Sequence, residues 1–525
     1  MKMNFSRVMA QVAQRYAKQD ALVNVERNRR YRFDELHRLT NRIATMLRTR
    51  LNLQRGDTAL CILENDNLSL LHAWTAFKGE VAFAHTNIRD SLEEHRWQVT
   101  FIEPKVIFIE RALLPPYNDM LRASGATVVC MDPPPAGCTF ALDFWTLLEG
   151  VPEKEPDIES DVYQDTLIYR FTGGTTGRSK CARYTIDNWL AARDSMYADS
   201  EQSQAFNENT RYLHIAPISH GSGLSLLPTL FRGGCTVTQN AADLKAWCRN
   251  VEAERITTAL MVPTLVGWLL ELPEASQSDL SSLQTLFYGA APMSPAKLRQ
   301  AQQRFGNIFF QLYGATECAQ AVCTLNKADH LDAVETGRLA SAGRPVTGIE
   351  LKIVDEAGNR LAPGSTGEIW LRGRGTISGY HNNPQGTAAE FSDGYWKSGD
   401  LGYVDEAGYV FIVDRKKDVI ITGGFNVYAV EVEATLNAHP AVSMSAVVGI
   451  PDDKWGEAVH AEVVLKAGMC VTAEELIVLV KERLGRFKAP KSVKLVDALP
   501  LSAVGKVLRR QVRDRYWSDQ PRRVS

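Results

Sequence analysis

The chain has 525 residues, more than one hydrophobic core normally holds, so we expect at least two domains. With 45% apolar residues, 23% charged residues and a net charge of −2, it is unlike a protein that coats nucleic acid or an anionic membrane. The nine cysteines include no Cys-x-x-Cys pair, which favours reduced thiols in a cytoplasmic protein over disulfides or a zinc site. The sequence has no run of about 18 apolar residues, so we expect no membrane-spanning helix.

The first third of the chain alternates the patterns of helices and strands. Residues 1–20 predict an amphipathic helix and lack the apolar stretch of a signal peptide. The next segments with helical or strand periodicity are 33–47, 58–63, 68–77, 105–109 and 126–131. Repeated strand, helix, strand units predict layered α/β structure with a largely parallel sheet.

The stretch Thr172–Lys180, with the sequence Thr-Gly-Gly-Thr-Thr-Gly-Arg-Ser-Lys, has no large apolar side chain and cannot join a core. Its backbone N–H groups, hydroxyls and the Lys180 ammonium have the chemistry of a polyphosphate-binding loop. It lacks the Gly-Lys-Ser/Thr of a Walker loop and lies between two strand-like segments, 166–171 and 181–184. We therefore expect a turn at a sheet edge that binds phosphate; the alternative is an ordinary polar turn.

Later strands also end in small residues, at 212–223, 286–292 and 309–317, and the first of these segments contains His220. Because ligands of α/β proteins bind where strands end, these segments are expected to face one crevice. Residues 348–413 have the short strands and turns of an antiparallel region. The charged run 414–418 fits a solvated face or a domain linker, and the segment after it is long enough for a small domain.

Five motifs in order resemble those of the adenylate-forming superfamily, which comprises acyl-CoA synthetases, adenylation domains and luciferases. The motifs are Thr172–Lys180, Pro217–His220, Tyr313–Glu317, Trp396–Asp400 and Pro500–Lys506. The resemblance extends over about residues 31–510 and is greatest to an acyl-CoA synthetase. It implies an α/β fold with a large AMP-binding N-terminal domain, residues 1–416, made of layered α/β subdomains and a β-rich region. A small mobile α+β domain, residues 417–525, is expected to carry the catalytic lysine.

The resemblance implies an enzyme that uses ATP and Mg²⁺ to convert a carboxylic acid into an acyl adenylate and then transfers the acyl group to a thiol. The implied ATP-binding residues are Thr172, Gly173, Gly174, Thr175, Thr176, Gly177, Lys180, Gly289, Ala290, Tyr313, Gly314, Asp400 and Arg415. The implied catalytic residues are Lys506, Thr316 and His220. Lys506 would offset the repulsion between the attacking carboxylate and the phosphate.

Three further roles are implied by position in the motifs. Glu317 would hold Mg²⁺, which prefers oxygen ligands, Lys417 would be the hinge of the small domain, and Gly424 would line the tunnel for coenzyme A. The chain departs from the family pattern at several positions, among them Asp414, where a glycine is usual. These departures affect loop rigidity more than the chemistry of the implied residues.

Amino-acid-activating members have an aspartate near the segment 218–220, where this chain has Ile-Ser-His, so a non-amino acid is expected. The small residues around the crevice favour an aryl, alicyclic or medium to long acyl group over acetate. Coenzyme A is the expected acceptor, and its phosphates could meet basic residues of the last domain. These residues are Lys488, Lys491, Lys494, Arg509 and Arg510. The alternatives are transfer to a carrier protein and a nucleotide-binding protein without turnover. No nucleic-acid partner is expected, and a homodimer is compatible with the sequence.

Overall fold

The computed structural model describes residues 1–172, 179–502 and 505–517. Several helices within these ranges begin at side chains that accept hydrogen bonds from the first turn: for example, Thr185 Oγ1 accepts from the Asn188 N–H and Thr472 Oγ1 from the Glu475 N–H. The helices are Phe5–Arg15, Phe33–Thr49, Asn65–Leu70, Ala73–Ala76, Leu92–Ile102, Leu114–Ala123, Phe144–Leu147, Ile186–Ala198, Leu226–Phe231, Leu244–Ala253, Pro263–Glu271, Glu274–Gln277, Pro295–Phe305, Lys327–Thr336, Pro384–Glu390, Ala429–Asn437, Ala473–Leu484 and Arg509–Trp517.

The first large sheet is built from seven of the described strands. In sheet order they are Cys181–Thr185, Thr166–Phe171, Ala82–His85, Thr58–Ile62, Val106–Ile109, Thr127–Cys130 and Leu142–Asp143. Neighbouring strands run parallel, except that Cys181–Thr185 is antiparallel to Thr166–Phe171 at the edge. The glycine-rich stretch therefore connects two antiparallel strands at a sheet edge, as its sequence predicts.

The second large sheet contains nine of the described strands. In sheet order they are Arg344–Pro345, Cys323–Leu325, Phe309–Tyr313, Thr285–Gly289, Thr258–Met261, Arg211–His214, Cys235–Thr238, Asp20–Asn24 and Arg29–Arg32. The six central strands run parallel, and the pairs at both ends are antiparallel. Four parallel strands thus have their carboxyl ends, at residues 214, 261, 289 and 313, on one edge of this sheet.

Two smaller sheets and a short strand pair complete the described part of the chain. The strands of the antiparallel sheet are Ile349–Val354, Gly367–Gly373, Tyr395–Val404, Phe391–Ser392 and Val410–Arg415. The strands of the last sheet are Phe425–Val427, Ile420–Thr422, Gly456–Leu465, Val442–Asp452 and Ser492–Leu495. Lys2–Met3 pairs with Ser160–Asp161. The last sheet has its own apolar core, which includes Val432, Val447, Val459 and Leu476. This mixture of layered α/β, β-rich and α+β parts confirms the predicted fold class.

The helix predicted over 68–77 is wrong in one respect, because the structure divides it into Asn65–Leu70 and Ala73–Ala76. The break falls at His72, whose backbone is extended and whose imidazole Nε2 lies 3.2 Å from the carbonyl oxygen of Ile218. The amphipathic N-terminal helix is confirmed, with its bounds at Phe5–Arg15. No helix of the described residues is both long and apolar enough to cross a membrane.

Gly343 lies where the nine-stranded sheet meets the antiparallel sheet, and its carbonyl oxygen accepts the N–H of Val410 at 2.8 Å. Its φ is +86°, and a Cβ atom there would lie 1.8 Å from the carbonyl oxygen of Thr324. We predict that Gly343→Ala lowers the free energy of unfolding by about 3 kcal/mol or more, measured by urea titration. Gly364→Ala is the control, because Gly364 has a φ of +82° but open space at its Cβ position. Equal losses in the two variants would contradict the steric argument.

Candidate active site

The carboxyl ends of the parallel strands open into a large cleft with a volume of about 3300 Å³. Residues that follow these strand ends line it, among them His220, Val262, Gly289 and Thr316. The opposite wall comes from the antiparallel sheet and from the C-terminal region, which includes Lys506. The strand ends therefore face one crevice, as the sequence predicts.

One side of the cleft is organised around the carboxylate of Asp400. The Tyr313 hydroxyl donates to Asp400 Oδ2 at 2.6 Å, and Arg415 Nε lies 3.3 Å from Asp400 Oδ1. Asp400 and Arg415 are cross-strand partners, so sheet register places the guanidinium beside the carboxylate. Burial, with the Asp400 charge beside it, raises the pKa of Tyr313, which keeps its hydroxyl a donor. A flat ring, a carboxylate and a guanidinium thus lie together.

The described residues at the ends of the glycine-rich stretch form a hairpin. The Thr172 N–H donates to the Lys180 carbonyl at 2.8 Å, and the Lys180 N–H donates to Thr172 Oγ1 at 3.2 Å. Five of the residues predicted to bind ATP lie outside the described residues. They are Gly173, Gly174, Thr175, Thr176 and Gly177.

Lys180 belongs to a charged network that its local sequence does not predict. Its ammonium forms an ion pair with Glu390 and lies 5.0 Å from the ring centroid of Tyr380. The Tyr380 hydroxyl lies 2.7 Å from Glu317 Oε1 and 2.5 Å from Glu390 Oε2. Burial raises the pKa of Glu317, although the hydrogen bond from Tyr380 opposes this. Glu390 and Tyr380 come from a segment about 200 residues after Lys180, and no local signal in the sequence identifies them.

The remaining predicted nucleotide residues also lie on the cleft. Gly289 ends a strand, and a Cβ there would lie 2.0 Å from the carbonyl oxygen of Leu312, so only glycine fits beside the next strand. Ala290 has a φ of +68°. The carbonyl oxygen of Thr316 accepts from the buried Tyr184 hydroxyl. These contacts fix the backbone around the strand ends.

Lys506 reaches the cleft from the C-terminal region. Burial lowers its pKa to about 8, with a further lowering by Arg415 and an opposing effect of Asp400. Burial also lowers the pKa of His220 to about 4, and the charges of Arg170 and Lys506 contribute. Lys506 therefore lies within electrostatic range of His220, Arg415 and Asp400. The adjacent Gly505 packs against Val262, with its Cβ position 3.3 Å from Val262 Cγ2.

The charged run 414–418 is neither a plain solvated face nor a featureless linker, because Asp414 is only 1% exposed. Asp414 accepts hydrogen bonds from the Val430 N–H and from Arg509, both at 3.2 Å. Lys417 follows in a short 3₁₀ turn, Lys416–Asp418, that lines the cleft. Arg509 is held in ion pairs rather than extended toward solvent.

Gly424 does not belong to the described residues that line the cleft. It forms a turn between Ile420–Thr422 and Phe425–Val427, with a φ of +82° and open space at its Cβ position. Among the basic residues considered for coenzyme A, Lys488 is paired with Glu431 at 2.7 Å and Arg510 with Asp514 at 3.3 Å.

Two family models of nucleotide-binding enzymes match the sequence. The sequence matches the family model described as AMP-binding enzyme over residues 9–381. It also matches the model described as AMP-binding enzyme C-terminal domain over residues 431–506. The chain belongs to the AMP-binding enzyme family.

Several well-described proteins are similar to it. The chain is 36% identical over 432 residues to the medium/long-chain-fatty-acid–CoA ligase FadD8 of Mycobacterium tuberculosis, covering 81% of this chain and 74% of that protein. It is 32% identical to the fatty acid–[acyl-carrier-protein] ligase ScoC of Streptomyces coeruleorubidus, covering 94% and 93%. Its fold matches the o-succinylbenzoate CoA synthetase of Bacillus subtilis in complex with the acyl-adenylate OSB-AMP, with a TM-score of 0.82, 27% identity and complete coverage of both chains.

Under the catalytic role that the motifs imply for Lys506, its pKa predicts how adenylate formation depends on pH. Because this pKa is lowered to about 8, the ammonium is present below pH 8 and is lost as the pH rises above it. We predict that kcat/KM for acid-dependent ATP–pyrophosphate exchange falls about tenfold per pH unit above pH 8. His220, with a pKa of about 4, stays neutral throughout this range.

The matched control for this pH profile is Lys506→Arg, which stays charged. Its residual exchange activity should not fall between pH 8 and 9.5. A flat wild-type profile, or the same fall in Lys506→Arg, would show that another group titrates.

Proposed function

We propose that this enzyme activates a non-amino carboxylic acid with ATP as an acyl adenylate and transfers the acyl group to coenzyme A. The observation that carries the proposal is that Lys506 lines the cleft within electrostatic range of His220, Arg415 and Asp400. An ammonium there can stabilise the charge that develops when a carboxylate attacks the α-phosphate. Relatives that are named as CoA ligases support the same reaction class.

The nucleotide would bind on the Asp400 side of the cleft. The Tyr313 ring would pack on adenine beside Gly289, Ala290 and Gly314. Asp400 would accept hydrogen bonds from the ribose hydroxyls, with Arg415 beside it. The loop that ends at Lys180 would bind the β- and γ-phosphates, and Thr316 would donate to the α-phosphate.

Glu317 has the chemistry of a Mg²⁺ ligand. It offers a carboxylate in a buried position whose Oε1 already accepts from Tyr380, and hard oxygen donors suit this cation. When bound, Mg²⁺ would supply positive charge to the phosphate oxygens. Tyr380 would orient the carboxylate, and Glu390 would release Lys180 to the phosphates.

The acid would lie against the wall that follows His220. This part of the cleft has apolar and small side chains that leave space for an acyl group beyond the carboxylate. They include Met196, Leu224, Leu260, Val262 and Leu312. We infer an aryl, alicyclic or medium to long-chain acid rather than acetate. The two relatives named as ligases of fatty acids support this size class.

We propose the domain division of the chain as residues 1–416 and 417–525, with Lys417 as the hinge. The arrangement described here suits adenylate formation, because Lys506 faces the cleft and Gly424 does not. Rotation about Lys417 would exchange these two segments and let Gly424 line the path of the thiol. The similarity to ScoC makes a carrier protein the second candidate acceptor.

Lys506→Ala tests the proposed function directly. We predict that it lowers acid-dependent ATP–pyrophosphate exchange by at least about 100-fold, because the positive charge at the α-phosphate is lost. Thioester formation from supplied acyl adenylate and coenzyme A should stay within a few-fold of wild type, measured by release of the thioester. Lys481→Ala, at an exposed lysine of the same domain, is the control. Wild-type exchange in Lys506→Ala would refute the role of Lys506.

Gly424→Leu should affect thioester formation and spare adenylate formation, the reverse of the result expected for Lys506→Ala. A leucine side chain would block the proposed thiol path, so thioester formation should fall by at least about tenfold while pyrophosphate exchange is retained. Gly468→Leu is the matched control, because Gly468 also has a positive φ, of +74°, and open space at its Cβ position. Equal loss of both half-reactions in Gly424→Leu would contradict a tunnel role.

A further inference from the structure

Arg170 places a positive charge inside the protein beside the acid side of the cleft. It is the fifth residue of the strand Thr166–Phe171, and it is only 3% exposed, yet it lines the cleft. Burial lowers the pKa of its guanidinium to about 10, so the group is charged at neutral pH. A buried charge is costly unless it is paired.

The described residues give Arg170 few partners. Its Nη2 donates to the Ile218 carbonyl at 3.2 Å, and its guanidinium carbon lies 5.0 Å from the ring centroid of Trp189 and 5.8 Å from that of Tyr184. Its Nε is buried without an acceptor in the described structure. No carboxylate of the described residues forms an ion pair with Arg170. Arg509, by contrast, is equally charged but is bound by acidic side chains.

The described groups around Arg170 are uncharged. Its cross-strand partner is His85, whose ring centroid lies 4.7 Å from that of His72. Burial keeps the pKa of His72 and His85 well below the ordinary value and lowers that of His214 to about 3. His72 Nδ1 and His214 Nε2 are also buried without a partner in the described structure. This cluster thus combines one cation with several neutral imidazoles and no anion.

The cluster lies directly behind the segment that carries His220. A Cβ atom on Gly223 would lie 2.9 Å from Arg170 Nη2 and 2.7 Å from His72 Nε2, so only glycine lets this segment pack directly against the two side chains. The Arg170 charge also contributes to the low pKa of His220. Leu224 and Ser225 line the cleft just beyond Gly223. Arg170 therefore lines the cleft next to the part assigned to the acid.

We propose that the acid carries a second carboxylate and that Arg170 binds it inside the acid pocket. The inference rests on the proposed function and adds the substrate class, a dicarboxylic acid. A carboxylate matches the fork of a guanidinium and would supply the missing counter-charge, whereas a monocarboxylic acid would place an apolar chain against it. Loss of a hydrogen-bonded charge pair of this kind corresponds to about a 10- to 100-fold change in kcat/KM.

The test compares matched acids with the wild-type enzyme. Each α,ω-dicarboxylic acid of about four to ten carbons is paired with the monocarboxylic acid of the same carbon number, and terephthalate with 4-methylbenzoate. We expect at least one pair in which kcat/KM for acid-dependent pyrophosphate release favours the dicarboxylic acid by about tenfold or more. Equal or higher values for the monocarboxylic acid in every pair would overturn the proposal and leave the proposed function intact. Absence of release with every acid would contradict the proposed function itself.

Arg170→Met then tests whether this residue binds the second carboxylate. The ratio of kcat/KM within the preferred pair should fall to about one or below, while Arg170→Lys, which keeps the charge, should retain part of the preference. Since both acids are measured with the same variant, a loss of folded protein cancels from the ratio. An unchanged ratio in Arg170→Met would overturn the role of Arg170. If Arg170→Met does not fold, Arg170→Lys decides the role of Arg170. A ratio of kcat/KM within the preferred pair that is unchanged from wild type in Arg170→Lys would then overturn that role.

Discussion

The Asp400 carboxylate connects the parts of the chain on which the site depends. One oxygen accepts from Tyr313, at the end of a strand of the nine-stranded sheet, and the other lies beside Arg415 in the antiparallel sheet. A carboxylate that is only 7% exposed needs such partners, because an isolated buried charge is costly. Its negative charge also opposes the lowering of the Lys506 pKa by burial. One group therefore joins two sheets and helps to keep Lys506 charged.

A second buried carboxylate, Asp414, connects the antiparallel sheet with the C-terminal region. It accepts from the Val430 N–H and from Arg509, which is also paired with Glu433 at 2.5 Å. Removing one partner of such a buried pair typically costs about 3–5 kcal/mol. These contacts hold the arrangement in which Lys506 faces the cleft. The contacts of Asp414 lie within a few residues of Lys417, the proposed hinge. Rotation about Lys417 would therefore have to break or rearrange these ionic contacts.

Much of the fold and part of the site follow from the sequence, because periodicity and motif order are local signals. The motifs alone identify Tyr313, Asp400 and Lys506, and the structure places all three on one cleft. The pairing of Lys180 with Glu390 was not predictable, since it joins segments about 200 residues apart. The burial of Asp414 was missed for the same reason: a run of charges gives no sign that one of them will meet an arginine from the last helix.

The distribution of charge within the cleft separates its two ends. On the side proposed for the nucleotide, Lys180 pairs with Glu390 and Arg415 with Asp400. The protein itself thus supplies the counter-charges that bound phosphates would replace or add to. On the side proposed for the acid, Arg170 forms no ion pair with the described residues, and its strand partner His85 is neutral. A cation that already has a counter-charge gains little from a second anion, whereas a buried cation held by one carbonyl oxygen and two aromatic rings gains more from an arriving carboxylate. Under the proposed assignments, the phosphates would exchange for protein carboxylates at the first end, and a second carboxylate of the acid would supply the counter-charge at the other.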